Sequence, residues 1–253
     1  MESRKRNHDF KIKPMLSEKE KERYSRHLLL EEIGEQGQEK IKNAKVLVVG
    51  AGGLGSPVLL YLVAAGIGQI GIMDDDTVSE SNLQRQVLYD TGCIGELKTE
   101  VAARKLQILN PHVCTCSYTQ RFTLENSEEI VKKYDVVIDA TDNLLSRYAI
   151  NDICVKCGKP FVYGSICEFD GQVSVFNYQN HITYRDLYEY HEGIREFRQP
   201  LGVIGALPGV VGSIQATEAI KVILNRTDTL SGKLLLINLL KGTFQLLEIQ
   251  KKQ

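Results

Sequence analysis

Apolar and polar positions fall into short blocks along this chain. Residues 45–49 (K-V-L-V-V), 69–73, 113–118, 135–140 (D-V-V-I-D-A) and 160–164 are brief runs, most of them continuously apolar and closed by glycine or acidic residues. Runs of that length predict strands buried on both faces, as in a parallel sheet. Between them, residues 57–65, 101–109, 127–132 and 143–157 read as helices, the first capped by Gly66 and the second halted before Pro111. The alternation predicts an α/β fold with a Rossmann-like, doubly wound, mainly parallel sheet. Upstream, Ser17 followed by Glu20 reads as a capping box opening a charged helix within 17–38 that runs into Tyr24, Leu28 and Leu29.

After residue 164 the pattern changes. Asp170-Gly171, between 165–169 and 172–177, signals a hairpin turn, and 178–200 is polar and aromatic without period, a long loop. Residues 210–224 read as a helix, and 233–239 with 243–249 as a second hairpin, giving an antiparallel C-terminal extension. With no internal repeat or low-complexity linker, 17–253 reads as one domain behind a flexible polar arm, 1–16.

Composition narrows the classes. Of 253 residues 43% are hydrophobic, enough for a buried core, and 31 basic against 32 acidic residues leave a formal charge of −1. A general nucleic-acid binder needs a basic stripe, so none is expected here and any anion site must be local. No apolar stretch follows the basic N-terminus, and the most apolar helix-length stretch, 58–67, is too short for a bilayer, so neither signal peptide nor membrane contact is expected. The six cysteines, none beyond Cys167, are a poor layout for stapling a secreted domain and suit a reducing cytoplasm.

Gly50-Ala51-Gly52-Gly53-Leu54-Gly55 is G-x-G-x-x-G between a predicted strand and a predicted helix. Gly50, Gly52, Gly53 and Gly55 let backbone N–H groups and a helix N-terminus approach a phosphate chain. Asp74, 19 residues past Gly55 at a strand end, is placed to accept from ribose hydroxyls. NAD, FAD and ATP share these features. The segment beyond Asp74 favours a triphosphate: Asp76 in an acidic cluster, then Asn82, Arg85 and Lys98, a donor and two cations in one loop region. At the next strand end Asp139 reads as a helix cap, while Asp142 is the better carboxylate for magnesium, a hard ion suited to oxygen ligands. No Walker-type loop is present.

Together these motifs resemble the ThiF/MoeB/HesA family of ubiquitin-activating-enzyme-like adenylyltransferases. The likeness spans nearly all the chain from about Leu16: R-Y-S-R-H at 23–27, G-A-G-G-L-G, D-D-D-T-V-S, N-L-Q-R-Q, G-E-L-K, A-T-D-N, D-G-Q-V, and G-V-I-G-A-L-P-G-V-V-G-S-I-Q-A-T-E-A-I-K at 202–221. The resemblance implies an ATP- and Mg2+-dependent enzyme that adenylates the C-terminal Gly-Gly carboxylate of a ubiquitin-fold sulfur-carrier protein, for thiamine or molybdopterin synthesis. It implies that Asp74 holds the ribose, that Asn82, Arg85 and Lys98 hold phosphates, and that Asp142 organises magnesium and the reacting groups. It also implies a homodimer in which Arg26 reaches the γ-phosphate from the second subunit. Gln86, Asn143 and Arg147 are supporting candidates.

Two departures stand out. Many relatives hold a structural zinc between two C-x-x-C pairs; here the first pair's place is taken by Thr183-Tyr184-Arg185-Asp186 and the second pair is missing, so no structural zinc is expected. Cys154 and Cys157 sit on a predicted helix without a partner pair, and read as helix cysteines rather than metal ligands. The cysteine that several relatives carry before the G-V-I segment corresponds approximately to Arg198, and guanidinium cannot replace a thiolate. The expectation is an enzyme that stops at the adenylate, with sulfur supplied by another protein or by a cysteine elsewhere. His181 and His191 read as solvated, and Tyr184, Tyr188, Tyr190 and Phe197 either order the loop or form a lip for the carrier tail. The competing readings are a nicotinamide-dependent oxidoreductase, a degenerate nucleotide-binding relative without activity, and an enzyme acting on a different carboxylate.

Overall fold

The central strands form because β-branched and aliphatic side chains alternate between two apolar faces. In the computed structural model, which describes residues 16–189 and 202–251, Val46 and Val48 enter one core while Leu47 and Val49 enter the other. The strands are β1 (Lys45–Val49), β2 (Gln69–Met73), β3 (Cys114–Tyr118), β4 (Val136–Asp139), β5 (Phe161–Cys167), β6 (Asp170–Phe176), β7 (Lys233–Asn238) and β8 (Thr243–Glu248). They make one eight-stranded sheet in the order β3-β2-β1-β4-β5-β6-β7-β8. β3 through β5 run parallel, and β6, β7 and β8 are antiparallel additions. The chain leaves β1 toward β2 on one side and pairs with β4 on the other, so the order reverses at β1, where open α/β sheets place their ligands.

The helices are α1 (Glu18–Arg23), α2 (Ser25–Leu28), α3 (Gly34–Asn43), α4 (Gly55–Ala65), α5 (Lys98–Leu109), α6 (Glu128–Val131), α7 (Leu144–Cys157), α8 (Tyr184–Leu187) and α9 (Ala206–Ile223). α9 packs on α4 and across β5 and β6. Among the described residues no helix is long and apolar enough to cross a membrane.

Three expectations are corrected. The helix drawn through 17–38 is three helices, because Tyr24 leaves helical geometry (φ −97°, ψ 15°) to bury its ring against Gly66 and accept from Asn110 Nδ2 at 2.9 Å. The turn after β5 is Glu168-Phe169, two residues before Asp170-Gly171. Cys167 pairs with Asp170, and Glu168 takes the left-handed conformation at φ 52°. Gly171 is instead a strand residue whose Cβ would meet Val211 Cγ2 at 2.5 Å, so it serves the seating of α9 rather than a turn. Within the loop expected at 178–200, residues 184–187 form α8; Tyr190, His191, Phe197 and Arg198 lie outside the described residues, as does nearly all of the arm at 1–16.

The α1 capping box is present. Glu20 Oε2 accepts from Ser17 N and Oγ, both at 2.8 Å, and from Lys42 Nζ at 2.9 Å. Burial raises the Glu20 carboxyl, but the bonds from Lys42 and Ser17 outweigh it and hold the group at about 2. A carboxyl depressed in the fold stabilises above its unfolded value and loses that contribution as pH falls toward the folded one. Glu20→Gln is therefore expected to lower the thermal midpoint by roughly 3–6 °C at pH 7. The gap should close between pH 4.5 and 2; a gap unchanged down to pH 2 contradicts it.

Candidate active site

Three adjacent strand ends build the site. In register, Met73 of β2, Val49 of β1 and Asp139 of β4 lie side by side, so the residues just beyond them converge. Gly50 turns the chain at φ 93°, where a Cβ would lie 2.5 Å from Ala140 O. Gly55 starts α4 so close to the turn that its Cβ would stand 2.1 Å from Gly50 O. These two glycines are demanded by the chain itself. Gly52 and Gly53 are not: a Cβ there would make ordinary contacts, with Gln86 Nε2 at 3.4 Å and Pro208 at 3.5 Å.

Asp74 fixes the loop from the β2 side. Its Oδ2 accepts from Ala51 N at 2.7 Å and its Oδ1 from Asp76 N at 2.8 Å, so the expected ribose carboxylate first of all shapes the glycine turn. Burial pushes this carboxyl above its usual range, against the pull of Lys98 and the two amides. Lys98, buried at the start of α5, gives Nζ to Asp76 Oδ2 at 2.9 Å. The carboxylates of Asp74, Asp75 and Asp76 lie within 4.8 Å of one another, the one such group of three among the described residues. Asp142, the expected magnesium ligand, is outside that group and exposed.

Residues 82–86 cover the glycine loop. Asn82 Oδ1 accepts from Ser79 N at 3.3 Å, closing a turn that sends Arg85 across Gly53, whose Cβ would lie 3.7 Å from Arg85 Cδ. Arg85 gives Nη1 to Ser81 O at 3.0 Å and forms no ion pair among the described residues. Gln86 is buried beside Gly52 with Oε1 unpartnered.

On the β4 side, Asp139 is fully buried and does not cap the next helix. Its Oδ1 accepts from Thr141 N and Oγ1 at 3.0 and 2.7 Å, its Oδ2 has no partner, and burial raises its carboxyl against the charge of Arg147. Asn143 is the cap, accepting from Ser146 N at 2.9 Å, because its short amide reaches back over the first turn of α7. Arg147 donates from Nη2 to Thr141 O at 3.2 Å and so ties α7 to the Asp142 loop.

Arg26 is not brought to this site by its own chain. Its neighbour Tyr24 packs on Gly66 at the C-terminal end of α4. The glycine loop is at the other end, 11 residues away, or about 16 Å at helical rise. Two contributors were missed in the sequence. Gln215 of α9 is buried and gives Nε2 to Asp139 O at 2.7 Å; Tyr89 gives its hydroxyl to Ala51 O at 2.7 Å.

At the segment expected to lack a zinc-binding cysteine pair, Thr183 N and Oγ1 both donate to Asp186 Oδ2 at 2.8 Å. Arg185 grips Asp152 with two bonds of 2.7 Å. Cys154 is fully buried on α7 and its thiol is pushed up by burial.

A glycine turn between strand-end carboxylates at the point of sheet reversal marks a doubly wound α/β protein with a nucleotide-type loop. The chain belongs to the ThiF family, whose model matches residues 24–253. A probable molybdopterin-synthase adenylyltransferase of Porphyra purpurea is 46% identical over 233 residues, 90% of this chain and 60% of the relative. A sulfur carrier protein adenylyltransferase of Thermus thermophilus is 46% identical over 242 residues, 93% of this chain and 89% of the relative. A probable adenylyltransferase/sulfurtransferase MoeZ of Mycobacterium tuberculosis is 43% identical over 242 residues, 93% of this chain and 62% of the relative. The chain thus spans about three fifths of the Porphyra and Mycobacterium relatives. Among solved structures, PaaA matches with a TM-score of 0.80 at 25% identity, covering 98% of this chain and 78% of that one. Escherichia coli MccB matches at 0.76 and 23%, covering 91% and 70%, a likeness of fold.

Proposed function

We propose that this protein adenylates the C-terminal Gly-Gly carboxylate of a ubiquitin-fold sulfur-carrier protein with ATP. The observation that carries the reading is Arg85, a cation without an ion pair among the described residues, laid across the glycine loop beside the Asp142 strand end. The nucleophile is already an anion, so little acid–base catalysis is needed. A carboxylate oxygen bonds to the α-phosphorus, the bond to the bridging oxygen breaks, and pyrophosphate leaves with that electron pair. The obstacle is repulsion between anions, which fixed cations and N–H groups relieve without reorganising. The glycine loop and the α4 N-terminus offer the N–H groups, Arg85 and Lys98 the charge, and Asn82 a side-chain amide.

The donor set fits magnesium, since exposed Asp142 and the Asp74–Asp76 carboxylates are hard oxygen ligands next to the glycine turn. Mg2+, when bound, neutralises phosphate charge. Arg26, one helix length from its own glycine loop, serves the site of a second copy in a homodimer. A monomeric mass in solution with undiminished activity contradicts that role.

The Thr183–Asp186 box and the Arg185–Asp152 pair give the segment a hydrogen-bonded hold, which supports a reading in which it needs no zinc. The thiol census, all free among the described residues, suits the cytoplasm. No cysteine precedes the Gly202-Val203 segment in its own loop, which supports sulfur supplied by another protein, such as a separate sulfurtransferase, or by a cysteine elsewhere. Intact-mass analysis of enzyme, carrier and ATP is expected to find a carrier–AMP adduct and no carrier bound to enzyme. A reducible adduct on any of the six cysteines contradicts supply by another protein.

A further inference from the structure

Beside the Asp142 loop lies an open cavity of about 480 Å³, walled by Tyr163, Tyr184, Leu187 and Tyr188, with Arg147 and Gln172 among its polar groups. Ser165, Tyr148 and Glu189 also line it, but the polar group with a fixed sense is Gln172. The Tyr163 and Tyr188 hydroxyls both donate to Gln172 Oε1, at 3.1 and 2.6 Å. Both phenol protons and the amide oxygen are thereby engaged, and Gln172 is left offering its NH2 group, a pure donor. The residue stands on the paired strands β5 and β6, opposite Ser165, so its backbone is fixed as well as its side chain.

Arg147 also can only donate. Its guanidinium lies 5.6 Å from the Tyr163 ring centroid, and its buried Nε has no partner. The aromatic walls are themselves interlocked, with the Tyr184 and Tyr188 rings 5.0 Å apart and Tyr163 5.3 Å from Tyr184. Fixed donors between flat apolar walls suit an extended chain with carbonyl oxygens and small side chains. Through the Arg147 bond to Thr141 O, the cavity adjoins the loop that carries Asp142.

We propose that Gln172 is a binding residue that positions the carrier's C-terminal tail. Aimed by Tyr163 and Tyr188, its NH2 group donates to a main-chain carbonyl of the carrier's C-terminal tail, and Arg147 donates to a neighbouring carbonyl. The two tyrosines are positioning residues. The inference rests on the adenylation reading above.

The test compares wild type, Gln172→Glu and Tyr188→Phe in pyrophosphate–ATP exchange, with separate KM values for carrier and ATP, and carrier affinity by calorimetry without ATP. Gln172→Glu still accepts from both tyrosines but replaces the donor with an acceptor, which repels a carbonyl. Its carrier KM is expected to rise about tenfold or more, with ATP KM and kcat within about twofold. Tyr188→Phe, which leaves the amide one anchor, should raise the carrier KM about two- to fivefold. Carrier KM and affinity unchanged in both variants overturn the assignment, as does a parallel rise in ATP KM. If wild type binds carrier more tightly than Gln172→Glu but exchanges no pyrophosphate, the adenylation reading fails while the tail contact stands.

Discussion

Arg85→Ala is expected to lower carrier-dependent pyrophosphate–ATP exchange by about 10²–10³-fold, the usual cost of removing one preorganised donor to developing charge. The thermal midpoint should stay near that of wild type, because the side chain's one bond is to Ser81 O on its own loop and it makes no ion pair among the described residues. That combination separates a ligand-facing cation from a structural one. Lys98 gives the contrast: it is buried and bonded to Asp76, so Lys98→Ala should cost stability as well as exchange. Arg85→Lys should recover part of the exchange, since it restores the charge but not the two-pronged geometry. Exchange within a few-fold of wild type in Arg85→Ala would show that the phosphates are not held where the glycine loop and residues 82–86 meet.

The second large effect is on folding. Gly55→Ala places a Cβ 2.1 Å from Gly50 O, in a residue whose backbone is held by the Gly50 N–H bond to Met73 O at 2.8 Å. The atom met is not the end of a flexible side chain that can move aside. Separating α4 from the turn would also disturb the Ala51 N–H bond to Asp74 and the Ser56 bond to Gly52 O. A loss of about 3 kcal/mol, or roughly 10 °C in Tm, is expected, the upper end of the usual cost of overpacking because the atom met is backbone. Gly53→Ala, whose Cβ meets Pro208 at an ordinary 3.5 Å, should keep its Tm. Equal melting of the two variants would contradict this division of the glycines.

The centre of the parallel half was legible because β1, β2 and β4 bury both faces, which makes local hydrophobicity and tertiary environment agree. The ranges 45–49 and 69–73 coincide with β1 and β2, and Gly66 is the left-handed cap expected of it, at φ 86°. Reading failed where a distant partner decides the local structure. Tyr24 breaks a helix to reach Gly66 and Asn110, and Gly171 is a glycine because of Val211, forty residues on.

Motif spacing picked out residues that the fold gathers at one sheet edge, but not their division of labour. Asp74 and Asp76 are partly committed to the loop and to Lys98, Asn143 to capping, and Arg26 stands away from the site of its own chain. The buried polar layer of Asp139, Arg147 and Gln215 forms only when β4, α7 and α9 meet, so no local pattern announces it.

The central claim is that the reacting group is a free C-terminal carboxylate presented to ATP. Pyrophosphate–ATP exchange with magnesium, run in parallel with a carrier ending in Gly-Gly and the same carrier amidated at its C-terminus, tests it most directly. Exchange with the first and none with the second is the predicted result. Exchange that ignores amidation, or none with any Gly-Gly carrier, would contradict it.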